Sequence, residues 1–280
     1  MKLSIDHVTI SGSRLEALAS AFAAAGLASD YGGIHSNGVT HMSTVGFKGG
    51  SYVELVSIRQ PGQVAPWWHQ HIVRDGGPCA WAVSSDDVGA EARRLRELGI
   101  SVDGPHHLSR TRPDRVTAEW DLAYVGDHGA GAMLPFVIRD CTPRKNRVRV
   151  ADSVRKTELR GVEFVVLGVP DVTPAAELFQ RAYGLAQPEP WASPEFPGPM
   201  LRFLDAPLVL AAPGPNGGDW LGERLDLFGP SPCAILLGSR DFDRSLERLP
   251  LDSVNAWGRR RQAWFASAPM RKLRVGVVGD

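Results

Sequence analysis

The chain is most constrained by a sequence unit that occurs four times along its 280 residues. Each copy is a short run of β-forming residues followed by an amphipathic helix and a helix stop. In the first copy the run is residues 3–10, and Leu15, Leu18 and Phe22 then form the apolar stripe of the helix. Gly26 ends this helix, because glycine tolerates the left-handed conformation that a helix end requires.

The other three copies start near residues 79, 162 and 233. The spacing of about 65 to 85 residues is too long for a solenoid repeat and suits a small supersecondary unit. Two helix starts are predicted from capping residues, a capping box of Ser13 with Glu16 in the first copy and Thr173 as N-cap in the third.

Each helix stop is followed by further short strands. In the first copy these are residues 40–47 and 51–58, separated by Lys48-Gly49-Gly50, which is a hairpin signal. In the third copy they are residues 200–204 and 208–212. The unit is therefore one strand, one helix and two or three antiparallel strands, and the predicted fold class is α+β with four βαβββ modules.

The two halves of the chain also match each other. Pro78-Cys79-Ala80 opens the second copy and Pro232-Cys233-Ala234 opens the fourth. We therefore predict two tandem domains of two modules each, residues 1–145 and residues 146–280. A locally basic segment joins them, and we interpret it as a solvated connector rather than an anion site. Its basic residues are Arg139, Arg144, Lys145, Arg147, Arg149, Arg155, Lys156 and Arg160.

Composition excludes several classes of function. Lys and Arg balance Asp and Glu at 31 each, so no net charge favours nucleic acid or an anionic membrane. No run of about 18 apolar residues predicts a transmembrane helix, and the N-terminus lacks the apolar stretch of a signal peptide. Three widely separated cysteines predict neither a disulfide framework nor a CxxC motif. We expect a cytoplasmic protein with a small-molecule substrate, and the oligomeric state, including a homodimer, stays open.

The first module begins Ile5-Asp6-His7-Val8 and closes Tyr52-Val53-Glu54-Leu55, and in this it resembles the vicinal-oxygen-chelate (VOC) superfamily. Members of that superfamily include glyoxalase, extradiol dioxygenases and fosfomycin-resistance proteins. The first half resembles more narrowly a glyoxalase-like domain group of mostly uncharacterised bacterial proteins. The other matching segments are Gly33-Ile34-His35, Thr40-His41, Arg110-Thr111-Arg112-Pro113-Asp114, Glu119-Trp120 and Leu134-Pro135-Phe136.

The resemblance implies where metal ligands lie. In the superfamily, ligands come from the first and last strands of each module, which are neighbours in the sheet. Here the first module offers His7 and Glu54, which suit Zn, Fe, Mn or Ni. The second module has Ala80 on its first strand, and near the end of its last strand it has Pro135 and Phe136, none of which can bind a metal.

The second domain is poorer still. Phe164 stands in the His position and Val209 near the Glu position. We therefore expect its pocket to be apolar and its role to be structural, which leaves the N-terminal half with the active cleft.

The sequence leaves the use of His7 and Glu54 open. They form a catalytic pair with or without a divalent metal, because burying Glu54 alone and ionised is costly unless it is paired or metal-bound. A third group from the segment between helix and hairpin is His41 or, less favoured, His35. We expect His41 to approach the pair and Ala80 to leave open space opposite for a substrate oxygen or water.

Two arginines and two tryptophans are candidates for substrate binding. Arg110 and Arg112 are either solvated residues of a surface turn or a clamp for a carboxylate or phosphate at the cleft mouth. Trp81 and Trp120 are either core and cleft wall or stacking partners of the ligand. The segment Pro66-Trp67-Trp68-His69-Gln70-His71 is interpreted as packing that caps the cleft.

These expectations favour a glyoxalase-like enzyme, a lyase, isomerase or oxygenase acting on an oxygen-rich or carboxylated substrate. In it Glu54 is the general base or a metal ligand, and His7 is its partner. The alternative is a protein that binds and sequesters a small aromatic molecule without catalysis. A third reading is an inactive scaffold.

Overall fold

Two eight-stranded mixed sheets form the frame of the protein, which we analysed as a computed structural model describing residues 3–280. The first sheet contains β1 (Ile5–Ser11), β2 (Asp30–Ile34), β3 (Thr40–Gly46), β4 (Tyr52–Ile58), β5 (Gly77–Ser84), β6 (Val102–Thr111), β7 (Thr117–Val125) and β8 (Phe136–Asp140). The second contains β9 (Leu159–Gly168), β10 (Glu189–Ser193), β11 (Phe196–Arg202), β12 (Leu208–Ala211), β13 (Ser231–Ser239), β14 (Asn255–Trp257), β15 (Arg260–Trp264) and β16 (Val275–Gly279).

Nine helices accompany the strands within residues 3–280, and none of them is long and apolar enough to cross a membrane. They are α1 (Leu15–Ala24), α2 (His69–Val73), α3 (Val88–Glu97), α4 (Arg144–Arg147), α5 (Asp152–Arg155), α6 (Val172–Tyr183), α7 (Trp220–Phe228), α8 (Phe242–Arg248) and α9 (Ala268–Leu273).

The topology confirms the four βαβββ modules. The strand order is β2-β3-β4-β1-β5-β8-β7-β6 in the first sheet and β10-β11-β12-β9-β13-β16-β15-β14 in the second. In each module the first strand pairs in parallel with the last, as β1 does with β4. The first strands of the two modules in a sheet pair antiparallel. Each sheet therefore carries two modules related by an approximate twofold.

Two of the predicted helix starts are wrong. Arg14 precedes α1 without a side-chain cap, and the backbone N–H of Ser13 donates to Asp75 at 2.7 Å. The third-module helix is capped by Asp171, whose carboxylate accepts from the Thr173 N–H at 2.9 Å. Asp and Thr both serve well as N-cap residues. The apolar stripe of the helix therefore decides which of the two takes the N-cap position.

One hydrophobic core joins the two halves. Trp81 on β5 and Phe179 on α6 are both fully buried, and their ring centroids lie 6.2 Å apart. Both belong to a single continuous cluster that extends from Leu3 to Val277. The first half therefore buries part of its apolar surface against the second.

The connector between the sheets differs from the solvated segment that the sequence suggested. The proposed boundary at residues 145/146 falls inside α4, between the last strand of one sheet and the first of the next. Arg147 in this helix is only 2% exposed, and Arg144 is part-buried against the first sheet. Both make ion pairs with the N-terminal half, as described below.

The shared core predicts cooperative unfolding of both halves. Phe179→Ala should lower the free energy of unfolding by about 3 to 5 kcal/mol, because it opens a cavity against groups from both sheets. The variant should still unfold in urea in a single transition, as measured by circular dichroism and by tryptophan fluorescence. Leu227→Ala, at a side chain that is half exposed, is the control and should change stability by less than about 0.5 kcal/mol. Two separate transitions in the wild-type protein would contradict the shared core.

Candidate active site

A bulge at the start of β1 places His7 at a cleft, with the neighbouring Asp6 against its ring. The pairing of β1 with β5 shifts register between Ile5 and His7, so Asp6 is an extra residue in the ladder. Farther along, Val8 and Ile10 enter the core. His7 lines the cleft, and the buried Asp6 side chain hydrogen-bonds to the His7 ring.

His7 and Glu54 face the same cleft from adjacent strands. In the parallel pair β1–β4, His7 lies opposite Tyr52 and Thr9 lies opposite Glu54. The predicted adjacency of the two strands is thereby confirmed. The His7 Nε2 atom is 4.0 Å from Glu54 Oε2, and both side chains are buried but line the cavity.

Asp6 orients the His7 ring from behind. Its Oδ1 atom lies 2.7 Å from His7 Nδ1, and Arg147 donates two hydrogen bonds to its carboxylate, at 3.0 and 2.9 Å. Arg144 adds a third contact. Burial alone would raise the pKa of Asp6, but Arg147 and His7 hold it well below its ordinary value. The ionised Asp6 can only accept, so His7 Nδ1 carries the hydrogen and Nε2 is left to face the cleft.

Tyr52 and Arg147 complete the support of His7. The Tyr52 ring stacks on the His7 ring with centroids 4.7 Å apart and planes 20° apart. Arg147 donates to the Tyr52 hydroxyl at 2.9 Å and to Asp140 at 2.6 Å. The sequence reasoning missed this cluster. Its signal was the charged residue next to His7 in an otherwise apolar strand, together with the excess of arginines in the connector.

Glu54 is held as an ionised carboxylate. The Thr9 hydroxyl donates to Oε2 at 3.0 Å, and His35 Nε2 lies 3.3 Å from Oε1. Burial raises the pKa of Glu54, but the hydrogen bond and charge of His35, with His7 and Arg110, lower it to about 2. Glu54 is therefore charged throughout the physiological range.

His35, not His41, is the second imidazole of the cluster. The prediction that His41 approaches the pair is wrong, since His41 lies in a separate groove on the other face of the sheet, 6.1 Å from the Tyr31 ring. Alternation along β3 explains this, because Thr40 lines the active cleft and its neighbour must face away. His35 is fixed by a bond of 2.8 Å between its Nδ1 atom and the Thr40 hydroxyl.

The two predicted arginines have different surroundings. Arg110 lines the cleft, with its guanidinium carbon 5.9 Å from the centroid of the Trp120 ring. Arg112 does not line it and instead pairs at 2.5 Å with Asp30, the first residue of β2. Both are buried, so neither is the solvated arginine of a surface turn.

The tryptophans divide in the same way. Trp120 lines the cleft, whereas Trp81 is a fully buried core residue whose indole N–H donates to the Met133 carbonyl. Trp67 and Trp68 also line the cavity, and the indole N–H of Trp68 donates to the Ala130 carbonyl at 2.8 Å. The segment before α2 therefore caps the cleft as predicted.

The second module contributes apolar surface to the cleft. Ala80 does not leave the open space that was expected, because it is fully buried in a cluster with Phe136 and Ile138. Phe136 begins β8 rather than lying near its end. These residues provide no metal ligand.

The cleft of the second half is filled by its own side chains. Phe164, Val209, Trp257 and Trp264 belong to one buried apolar cluster, which confirms that this half offers an apolar interior. The N-terminal cleft keeps a cavity of about 110 Å³ that combines ionisable groups with aromatic walls. That volume suits a small organic molecule.

The fold and this cleft define a protein of the vicinal-oxygen-chelate type. The chain belongs to the glyoxalase-like domain family, whose pattern matches residues 5–183. None of the curated proteins matches this chain in sequence.

Solved structures with the same fold cover nearly the whole chain at low sequence identity. A hypothetical protein from Staphylococcus aureus is similar with a TM-score of 0.62, 12% identity and 99% coverage of both chains. A mutant 4-hydroxymandelate synthase from Streptomyces coelicolor has a TM-score of 0.62 and 13% identity, covering 99% of this chain and 92% of that one. A Mn(II)-bound glyoxalase from Novosphingobium aromaticivorans has a TM-score of 0.57 and 12% identity, covering 99% and 82%. At these identities the likeness shows the shared fold.

The donors in the cleft suit a divalent metal by their chemistry. His7 Nε2, His35 Nε2 and the Glu54 carboxylate are two imidazoles and a carboxylate, a set that transition metals accept. Asp6 on His7 Nδ1 is the outer partner that metal-bound histidines usually have. In the described part of the chain, only the surface group His107, Asp121 and Cys141 has all its donor atoms within 4.8 Å of one another. The cleft donors are therefore spaced more widely than that group.

The support of Asp6 predicts a large loss of stability on breaking it. Asp6→Asn should lower the free energy of unfolding by about 3 to 5 kcal/mol, because it leaves the buried Arg147 guanidinium without its main counter-charge. The measurement is urea denaturation at pH 7. Asp171→Asn, a helix cap that Asn also serves well, is the control and should cost less than about 0.5 kcal/mol. Equal stability of the two variants would contradict a structural role for Asp6.

The lowered pKa of Glu54 predicts a loss of stability in acid. Glu54 stabilises the fold fully above its ordinary pKa of 4.5, and this contribution is lost as the pH falls towards about 2. A tenfold change in proton affinity is worth about 1.4 kcal/mol, so the contribution is about 3 kcal/mol. Glu54→Gln should flatten the curve of unfolding free energy between pH 5 and about 2, measured by urea denaturation. The exposed Glu177, changed to Gln, should leave the curve unaltered.

Proposed function

We propose that this protein is an enzyme of the lyase or isomerase type that moves a proton on a small oxygen-rich or carboxylated substrate. The observation that carries the proposal is the placement of His7 Nε2 in an aromatic-lined cleft, 4.0 Å from the ionised Glu54. The free thiols of Cys79, Cys141 and Cys233 support a reducing compartment such as the cytoplasm.

The role of general base falls to His7 rather than Glu54. A carboxylate whose pKa is about 2 has little affinity for a proton at neutral pH, so it is a poor acceptor. His7 presents Nε2 to the cleft because Asp6 takes the hydrogen on Nδ1. Asp6 thus fixes the tautomer and the orientation of the base, as the carboxylate of a catalytic triad does.

The step that follows is a proton abstraction next to a carbonyl. His7 Nε2 takes the proton from carbon, and the electron pair of the broken C–H bond moves onto the carbonyl oxygen as an enolate. The imidazolium that forms lies between two carboxylates, Asp6 and Glu54, which stabilise its charge. Return of the proton to another position gives isomerisation, and loss of a leaving group from the enolate gives elimination.

Stacking holds the base in place during this step. Tyr52 covers one face of the His7 ring, and Arg147 anchors Tyr52 through its hydroxyl. A divalent metal held by His7, His35 and Glu54 would supply Lewis-acid polarisation of a substrate oxygen, with His7 then a ligand. Metal content therefore separates two forms of the same function.

The proposal predicts that His7 exchanges substrate protons with solvent. Small 2-oxo and 2-hydroxy acids incubated with the protein in D₂O should gain deuterium next to the carbonyl, followed by NMR. His7→Asn should slow the exchange by about a hundredfold or more, since general base catalysis supplies about that factor. Glu54→Gln should also slow it. His41→Gln, an imidazole on the other face of the sheet, is the matched control and should keep the wild-type rate.

The same samples test the alternatives. The metal content and the exchange rate, each measured before and after dialysis against a chelator, show whether the exchange needs a metal. If it does, His35→Gln should lower the metal content. Binding of the test acids without exchange by the wild-type protein would favour the sequestering alternative, which the apolar half of the cleft with Phe136 and Ile138 supports. Exchange at the wild-type rate in His7→Asn would refute the assignment of the base.

A further inference from the structure

We infer that the substrate carries a carboxylate on a flat, ring-sized body, with Arg110 as the residue that binds the carboxylate. This inference rests on the proposed function and narrows its substrate class. Three observations support it: a buried cation, a set of aromatic walls and a small cavity.

Arg110 is a buried cation without an anionic partner in the described part of the chain. Its side chain is 5% exposed, and no carboxylate oxygen of residues 3–280 lies within 4.0 Å of it. One guanidinium nitrogen contacts the Met42 sulfur at 3.1 Å, a weak acceptor, and another donates to the Arg147 carbonyl at 2.9 Å. The Nε–H has no acceptor. Burial lowers the pKa of Arg110, because it disfavours the charged form of the guanidinium. An anion bound there would offset this cost of desolvation.

Arg112, on the same hairpin, has the anionic partner that Arg110 lacks. It is buried to the same extent, at 4% exposure, but Asp30 pairs with it at 2.5 Å. Arg112 lies outside the cleft, whereas Arg110 lines it. The unpaired guanidinium is therefore the one that a ligand can reach.

Aromatic rings form walls of the cleft that Arg110 lines. Trp67 lies 5.2 Å from Tyr124, and Tyr124 lies 5.2 Å from Phe136 between ring centroids. Trp120 lies beside the guanidinium itself. Such faces and edges favour a flat, conjugated ligand, since ring contacts add attraction beyond the burial of apolar area.

The cavity limits the size of this ligand. Its volume of about 110 Å³ is well below the roughly 300 to 1,000 Å³ of pockets for drug-sized molecules. A single ring with a carboxylate suits a cavity of this size. The charge of Arg110 also acts on Glu54, so the anion and the acid–base pair share one site.

Binding of three matched probes tests the inference by isothermal titration calorimetry on the wild-type protein. Benzoate has the charge and the flat ring, benzamide keeps the ring without the charge, and cyclohexanecarboxylate keeps the charge without the flat ring. Benzoate should bind at least tenfold more tightly than benzamide and several-fold more tightly than cyclohexanecarboxylate. Equal affinity for all three, or no binding of benzoate at millimolar concentration, would overturn the inference.

Variants assign the binding to Arg110. Arg110→Gln should weaken benzoate at least tenfold and leave benzamide nearly unchanged, because a charge-assisted hydrogen bond is lost. Arg112→Gln, the buried arginine outside the cleft, should keep benzoate affinity once its fold is verified by circular dichroism. Benzoate affinity unaffected by Arg110→Gln would refute the assignment. Should Arg110→Gln not fold, the probe series on the wild-type protein decides alone.

The catalytic proposal and the substrate class can fail separately. Glu54→Gln should slow proton exchange and still bind benzoate. Tight benzoate binding by a wild-type protein that exchanges no substrate protons would refute the catalytic proposal and leave the substrate class standing. Conversely, His7-dependent exchange on uncharged or aliphatic substrates with no preference for aryl carboxylates would overturn the substrate class and leave the acid–base roles standing.

Discussion

The buried pair of Asp6 and Arg147 is the interaction on which the active half depends. Two charges removed from water stabilise a fold only when their hydrogen-bonding groups are filled, and here they are. Arg147 donates to both oxygens of Asp6, to Asp140 and to the Tyr52 hydroxyl. The pair thereby ties the connector helix to the first strand of the chain. Asp6 Oδ1, which accepts from Arg147, also accepts from His7 Nδ1 and holds that ring in a single orientation.

The same backbone unit occurs four times, and the first module has buried His7 and Glu54 where the third has Phe164 and Val209. Polar side chains facing a sheet interior need partners, and the helix α4 supplies those partners once, to the first module. In the second half, Phe164 and Trp257 belong to a buried apolar cluster. The second half then contributes a shared core, in which Phe179 packs on Trp81. Duplication of the fold therefore did not require duplication of the site.

The cleft divides the work between its two modules. In the proposed mechanism the first provides the groups that hold and move protons, His7 and Glu54, each held by hydrogen bonds. The second provides the apolar and aromatic surface and one unpaired guanidinium, Arg110. A ligand bound between them would be oriented by the second module and acted on by the first. This separation explains why the second module can lack ligands for a metal and still belong to the site.

The sequence by itself determined the modules and the strands, because alternation and helix stops are local patterns. The resemblance to the vicinal-oxygen-chelate superfamily placed His7 and Glu54 together, since it implies that the first and last strands of a module are neighbours, as they are. Only the tertiary structure decided between His35 and His41, because a shift of one residue along a strand moves a side chain to the other face. Likewise Arg110 and Arg112 look alike in sequence and are distinguished by Asp30, far away along the chain. The role of Arg147 could not be predicted, because its partner Asp6 is 141 residues distant and no local pattern links them.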